Sequence, residues 1–137
     1  MGSSNSGENK IMPHEWDNKK PTAQMLGRWQ PFHDGHYALF KEIIKKTGQV
    51  SIQVRDVQGV GDNPFDFKYV KSEIAKKLEP KYKNRFKVAL VPNITSICYG
   101  RGVGYKIEEI VLPESIQKIS ATKIRAEMRK KNKIIKS

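Results

Sequence analysis

His33 and His36 stand three residues apart with Gly35 between them, and Ser120, Thr122, Lys123 and Arg125 crowd into one short stretch near the C-terminal end. Two imidazoles, two hydroxyls, an ammonium and a guanidinium can all donate hydrogen bonds to oxygen anions. Such a set suits the binding of phosphate oxygens and the stabilisation of the charge that builds on them as a bond to phosphorus breaks. This is electrostatic catalysis and requires no covalent intermediate.

The first group lies in Gly27-Arg28-Trp29-Gln30-Pro31-Phe32-His33-Asp34-Gly35-His36, directly after a short apolar run. The segment reads as a strand-to-helix turn, and a helix start offers free backbone N–H groups and the positive end of the helix dipole to an anion. Gly27 is expected to let the chain turn tightly off the strand, Pro31 to stiffen the turn, and Gly35 to leave the helix start open to a phosphate. His33 and His36 then aim ring N–H donors at one anion. The second group lies in Ile119-Ser120-Ala121-Thr122-Lys123-Ile124-Arg125, another helix start with Ser120 as its cap. Thr122 offers a hydroxyl and Arg125 a rigid fork, while Lys123 is a point charge that a solvated face would equally explain. Placed at the crevice of one parallel sheet where the crossover direction reverses, the two helix starts converge on the phosphates of one nucleotide.

The elements needed to position these groups follow from hydrophobic period and turn chemistry. Thr22 to Leu26 is read as a first strand, Gly35 to Lys46 as a helix, Gln49 to Val54 as a second strand, and Phe65 to about Leu78 as a second helix. Phe86 to Val91 is a third strand, Ile107 to Leu112 a fourth, and Ser120 opens a last helix that turns strongly basic. The alternation predicts a single-domain α/β fold: a Rossmann-like parallel sheet with crossover helices. Residues 1–20, rich in Gly, Ser, Asn and Lys, are expected to be a mobile tail apart from docking of Trp16, and the opening Met-Gly-Ser-Ser resembles an expression leader. The domain is expected over 21–131, with a basic tail over 132–137.

Composition narrows the partner. The 137 residues hold 26 Lys plus Arg against 14 Asp plus Glu, and the net charge of +12 calls for an anionic ligand. No apolar run approaches the roughly 20 residues that span a bilayer, so a cytoplasmic protein without membrane contact is expected. Cys98 is the only cysteine, which excludes an internal disulfide, and its apolar surroundings predict a packing role. The run Arg129-Lys130-Lys131-Asn132-Lys133 is a basic helix end of the kind the helix dipole favours. Without the clustered aromatics of single-strand binders, nucleic acid is not the expected partner.

Taken together, the His-x-Gly-His turn and the Ile-Ser-x-Thr-x-Ile-Arg helix start resemble the signature pair of the nucleotidylyltransferase superfamily, which includes cytidylyltransferases and the nicotinamide-mononucleotide and phosphopantetheine adenylyltransferases. The Gly-Arg-x-Gln-Pro-Phe-His opening and Asn63-Pro64-Phe65 are similar to the archaeal-type nicotinamide-mononucleotide enzymes, in which Phe is common where this chain has Trp29. The short chain is nearer in length to cytidylyltransferases, although Glu114-Ser115-Ile116-Gln117-Lys118 stands where the glycerol-phosphate enzymes carry Arg-Thr-x-Gly. The resemblance implies transfer of a nucleoside monophosphate, with CTP slightly preferred over ATP, to a small phosphate or phosphonate acceptor, and release of pyrophosphate. Magnesium would travel with the triphosphate, and no protein metal site is expected.

Carried onto this chain, the resemblance gives His33 and His36 to transition-state stabilisation and Ser120, Thr122 and Arg125 to the outer phosphates; Arg125 is counted with the two histidines as catalytic, and Gly27, Arg28, Gln30, Gly35 and Lys123 join the expected nucleotide contacts. Arg101, in the glycine-rich loop Tyr99 to Tyr105, is assigned to phosphate. Arg55 and Asp56 follow the second strand at the sheet edge where ligands bind in open parallel folds, and with Asn63 and Phe65 they are assigned to the acceptor. The assembly is left open, a homodimer included.

Overall fold

The computed structural model describes residues 14–59, 61–102 and 104–131. Three parallel strands, β1 (Ala23–Gly27), β2 (Val50–Arg55) and β3 (Phe86–Val91), form one sheet in the order β1-β2-β3. Helix α1 (Asp34–Thr47) connects the first two and α2 (Phe67–Tyr82) the next two, an α/β Rossmann-like arrangement in a small single domain. Beyond β3 the described residues are irregular until a four-residue helix, α3 (Glu114–Gln117), and then α4 (Ala121–Lys130).

β2 explains why the sheet forms where it does. Its alternating Val50, Ile52 and Val54 are fully buried, the pattern of β-branched residues on one face of a central strand. Against that face lie Phe40, Ile43 and Ile44 of α1 and Val70, Ile74 and Leu78 of α2, each set at helical spacing. Both helices cover the same side, since the Phe40 ring meets Tyr82 of α2 at 5.1 Å and Phe86 of β3 at 6.2 Å. The other face carries polar pairs among smaller apolar residues: the Gln24 and Gln53 amides bond at 2.6 Å, and the Lys87 ammonium sits over the Trp16 ring.

The helix ends are set by local chemistry. Gly48, at φ 82°, closes α1 in the left-handed conformation that glycine adopts without penalty. Asp66 caps α2 through the Tyr69 N–H at 2.8 Å, so the helix starts two residues later than its apolar pattern predicts. It also runs past Leu78 through Pro80, a last turn held by Tyr82 against Phe40. Residues 14–20, expected within a mobile tail, are fastened to buried Gln49. Its side-chain amide donates to the Asp17 carbonyl at 2.8 Å and to the Thr22 hydroxyl at 2.6 Å. The rest of the expected N-terminal tail, residues 1–13, and the expected C-terminal tail over 132–137 lie outside the described residues.

Three expectations are corrected. Ile107 to Leu112 forms no strand: Ile107 and Val111 are exposed, and only Ile110 of the run packs against the core. A side-chain pattern does not supply the neighbouring strand that a ladder requires, and the described sheet therefore runs in chain order with no reversal of crossover direction. Cys98 is exposed in the irregular stretch after β3, not packed. Helix α3 was not foreseen.

Candidate active site

The turn between β1 and α1 is built around Trp29. Its backbone takes the left-handed region at φ 52°, and its ring is buried to 6% exposure with the indole N–H donating to the Gln53 carbonyl of β2 at 3.1 Å. Gly27 therefore has a different task from the one expected: a Cβ there would lie 2.7 Å from the Trp29 ring, so the glycine makes room for the indole while Trp29 takes the tight backbone. Gln30, also buried, clamps the backbone of Phe65, donating to its carbonyl at 2.8 Å and accepting from its N–H at 2.9 Å. This is a fastening between the turn and the segment before α2. Phe65, assigned to the acceptor, is only 5% exposed and stacks on Tyr69 at 4.5 Å, so it is a packing residue. Asn63 is half-buried and accepts a bond from Arg28 at 3.3 Å.

The two histidines form a reciprocal cap at the start of α1. His33 is the N-cap, and its Nδ1 accepts from the Gly35 N–H at 3.0 Å while Nδ1 of His36 accepts from the His33 N–H at 3.1 Å. Both Nδ1 atoms are acceptors, which puts the proton of each neutral ring on Nε2. The rings stack at 3.6 Å, and Trp29 meets His36 edge-on at 4.7 Å. Gly35 is needed by this stack. A Cβ there would lie 2.8 Å from Cε1 of His33, so the glycine admits the His33 ring, and its N–H is spent on that ring rather than left for a phosphate.

Burial, with the neighbouring His33 charge adding to it, pushes the His36 imidazole down to about 3, and burial also lowers His33 against the opposing charge of Asp34. Both rings are neutral N–H donors at pH 7. Asp34, bonded to Lys77 at 2.8 Å, is held below the usual carboxylate range by that lysine. A stability prediction follows from His36. Unfolded, its imidazole titrates near the ordinary value of about 6.5; between there and about 3 the unfolded chain binds the extra proton, so the folded state is favoured above this window and loses ground as pH falls through it. From this residue alone the loss between pH 7 and pH 5 is about 2 kcal/mol. Urea unfolding at the two pH values should show His36→Gln losing less than the wild type by about that amount; equal losses would contradict it.

The second motif docks on the first. Ser120 caps α4, accepting from the Lys123 N–H at 3.3 Å, while the Thr122 and Lys123 side chains are exposed. Arg125 is 4% exposed and reaches across the fold: Nη1 donates to the Gln30 carbonyl at 2.6 Å, and Nη2 donates to the Thr122 hydroxyl at 3.4 Å and lies 3.5 Å from the Asp62 carboxylate. Its Nε is buried without a partner. Burial, together with the charges of Arg28 and Arg129 and against that of Asp62, lowers the Arg125 guanidinium from its usual value, yet arginine stays charged in proteins. The motifs thus meet at Gln30, through direct docking of α4 on the turn. The short helix α3 sits beside them, with the Ile116 carbonyl 3.6 Å from where a Gly35 Cβ would be.

Arg129 belongs to the run that the sequence reads as a basic helix end. It is half-buried, donates through Nη2 to the Gly61 carbonyl, and lies one turn beyond Arg125 on the same face of α4. That i,i+4 spacing was the available signal. The basic residues that follow, Lys130 and Lys131, are exposed at the end of α4.

At the C-terminal ends of β1 and β2 a cavity of about 280 Å³ is lined by Leu26, Gly27, Arg55, Ile94, Thr95 and Ile97, with Ser96. Arg55 donates to Asn93 at 2.8 Å, leaving Nε buried and without a partner. The neighbouring Asp56 is exposed, and its backbone N–H is bound to the Val91 carbonyl. Arg101 is exposed in a loop braced by Tyr99 against Tyr105, and among the described residues none of its side-chain bonds reaches either motif. A second cleft of about 420 Å³, lined by Lys41, Glu42, Lys45, Lys81, Tyr82 and Arg85 with Ile44, contains no motif residue. Its cations have local partners: Lys45 pairs with Glu42, Arg85 donates to the Gly48 carbonyl, and Lys41 and Lys81 lie over Tyr37 and Tyr82.

No family model and no solved structure matches the chain. A stretch of 45 residues is 42% identical to a nicotinamide-nucleotide adenylyltransferase of Methanococcus aeolicus. The match takes in 31% of this chain and 26% of that protein, so the chain spans about a quarter of the relative's length. The similarity is thus to a nucleotidyltransferase, over about a third of the residues.

Proposed function

We propose that the chain is a nucleotidyltransferase that moves a nucleoside monophosphate from a nucleoside triphosphate to a small phosphorylated or phosphonate acceptor. The observation that carries this reading is the docking of Arg125 on the carbonyl of Gln30, three residues before His33, which groups a buried guanidinium with two neutral Nε2–H imidazoles at one end of the sheet. An acceptor oxygen attacks the α-phosphorus, the bond from that phosphorus to the bridging oxygen breaks, and pyrophosphate leaves with the electron pair. His33 and His36 donate to the oxygens on which charge builds. Arg125, Ser120 and Thr122 hold the outer phosphates, with Arg28 and Lys123 adding charge. No side chain forms a bond to phosphorus, so the protein's contribution is positioning and charge stabilisation.

Magnesium belongs to the triphosphate in this reading. The side chains gathered at the motifs are cationic or neutral donors apart from Asp62 and Asp34, and Asp34 is neutralised by Lys77 at 2.8 Å, a set that suits phosphate oxygen rather than a cation that takes oxygen ligands. The cavity beside Gly27 is the acceptor pocket, with Arg55 as its anion contact. The partial likeness to an adenylyltransferase favours ATP as donor and a pyridine mononucleotide as acceptor, with CTP the alternative donor. Incubating the protein with magnesium, each of the four triphosphates and a panel of phosphate and phosphonate acceptors tests this directly. Pyrophosphate release that requires both a triphosphate and an acceptor is the expected result. No release in any combination would overturn it.

A further inference from the structure

Three guanidiniums converge on residues 61–63. Arg28 donates to the Asn63 side chain, Arg129 to the Gly61 carbonyl, and Arg125 pairs with the Asp62 carboxylate at 3.5 Å. Two of these three partners are uncharged. Asp62 is the only carboxylate in the group, and its side chain is 76% exposed while that of Arg125 is buried. The pairing is thus lopsided: a desolvated guanidinium, anchored through Nη1 to Gln30, turns Nη2 towards a solvated carboxylate 3.5 Å away. A carboxylate and a phosphate present similar acceptor oxygens to an arginine fork, so both compete for the same donor.

We propose that Asp62 is an internal counter-ion that competes with ligand phosphate for Arg125 and so sets how tightly the pyrophosphoryl end is held. This rests on the assignment of Arg125 to the outer phosphates. Any anion that takes Nη2 of Arg125 must displace the Asp62 carboxylate and tolerate its charge nearby, a cost equal for substrate and product. A nucleoside triphosphate offsets that cost with contacts along its whole length. Pyrophosphate, which keeps only the outer contacts, does not. Asp62 therefore leaves the ratio of the two affinities unchanged but lowers both, which keeps pyrophosphate, with its fewer contacts, weakly held and favours its departure after the bond to the α-phosphorus has broken. Gly61, at φ 77° and held by Arg129, fixes the backbone beside Asp62 so that the carboxylate stays within reach.

The test is calorimetric titration with inorganic pyrophosphate and magnesium at fixed ionic strength, on the wild type, Asp62→Asn, Asp62→Ala and Arg125→Ala. Because Asp62 is exposed, both of its variants should fold, and Asp62→Asn preserves side-chain size if Asp62→Ala does not. The expected result is pyrophosphate binding about fivefold tighter in the Asp62 variants, the scale of losing one partly exposed charge pair. In Asp62→Asn combined with Arg125→Ala, that gain should vanish. Unchanged or weaker binding in Asp62→Asn, where wild-type binding depends on Arg125, overturns the role of Asp62 and leaves the site standing. Wild-type binding that does not depend on Arg125, or no binding, overturns the site and this inference with it.

Discussion

His36→Ala should lower turnover by about 100- to 1,000-fold, the range for removing one donor aimed at developing charge, with much less effect on triphosphate affinity. The asymmetry follows from where the proton sits. His36 uses Nδ1 to accept the His33 N–H, so its Nε2–H is a neutral donor held in a half-buried stack, and desolvation keeps the ring from taking a second proton. A neutral donor binds the ground state weakly and gains strength as charge accumulates on the oxygen it faces, so its loss falls on the transition state. The substitution also removes half of the reciprocal cap, at a cost of about 1 kcal/mol. His36→Gln separates the two effects, because glutamine at this position can restore the cap acceptor without supplying the imidazole. It should regain stability and leave turnover low. Equal losses in affinity and turnover for His36→Ala would show that the ring binds substrate and transition state alike.

Arg125→Ala should be the most damaging single change, since it acts on ligand and fold together. In the fold, it leaves the buried Gln30 carbonyl without its 2.6 Å partner and detaches α4 from the turn, a loss of about 1–3 kcal/mol. In the proposed site, it removes a fork whose two arms act at once, one anchored to the Gln30 carbonyl and one assigned by that proposal to the phosphates. A fall of kcat/KM by at least about 100-fold is expected, the equivalent of roughly 2.7 kcal/mol for one charge-assisted contact to a phosphate. Arg125→Lys should restore little, because a single ammonium cannot hold the Gln30 carbonyl and reach a ligand together. Steady-state kinetics and urea unfolding on both variants measure the two losses separately. Near-normal nucleotide use in Arg125→Lys would contradict the fork. Steeply salt-dependent binding of nucleic acid that ignores Arg125 would point to a different class of protein.

The parts of the fold legible in the sequence were those with a local signal. β2 declared itself through alternating Val50, Ile52 and Val54, α1 through the spacing of Phe40, Ile43 and Ile44, and α4 through its Ser120 cap. What failed depended on partners remote in sequence. Ile107 to Leu112 has the composition of a strand, but pairing is a property of two segments, and no composition of one can guarantee it. The glycines show the same limit at the site. Gly27 and Gly35 were read for backbone freedom, and both proved to be required by neighbouring rings, of Trp29 and His33, whose positions only the fold fixes. Gln30 and Phe65 looked like ligand contacts because they sit beside motif residues, yet they bind each other across a span of 35 residues. Arg129 was hidden by its company, one cation in a basic run, although among the described residues of that run it alone has a partner across the fold.

The central claim is that the two motifs grip one ligand, and nitrogen NMR of the intact protein during titration with magnesium α,β-methylene-ATP tests it most directly. This analogue keeps all three phosphates but cannot be cleaved at the α-phosphorus. The ring nitrogens of His33 and His36 and the guanidinium nitrogens of Arg125 should shift together and saturate at the same ligand concentration, and the histidine shifts should be lost in Arg125→Ala. Histidine signals that stay fixed while Arg125 moves, or that saturate at a different concentration, would contradict a shared site.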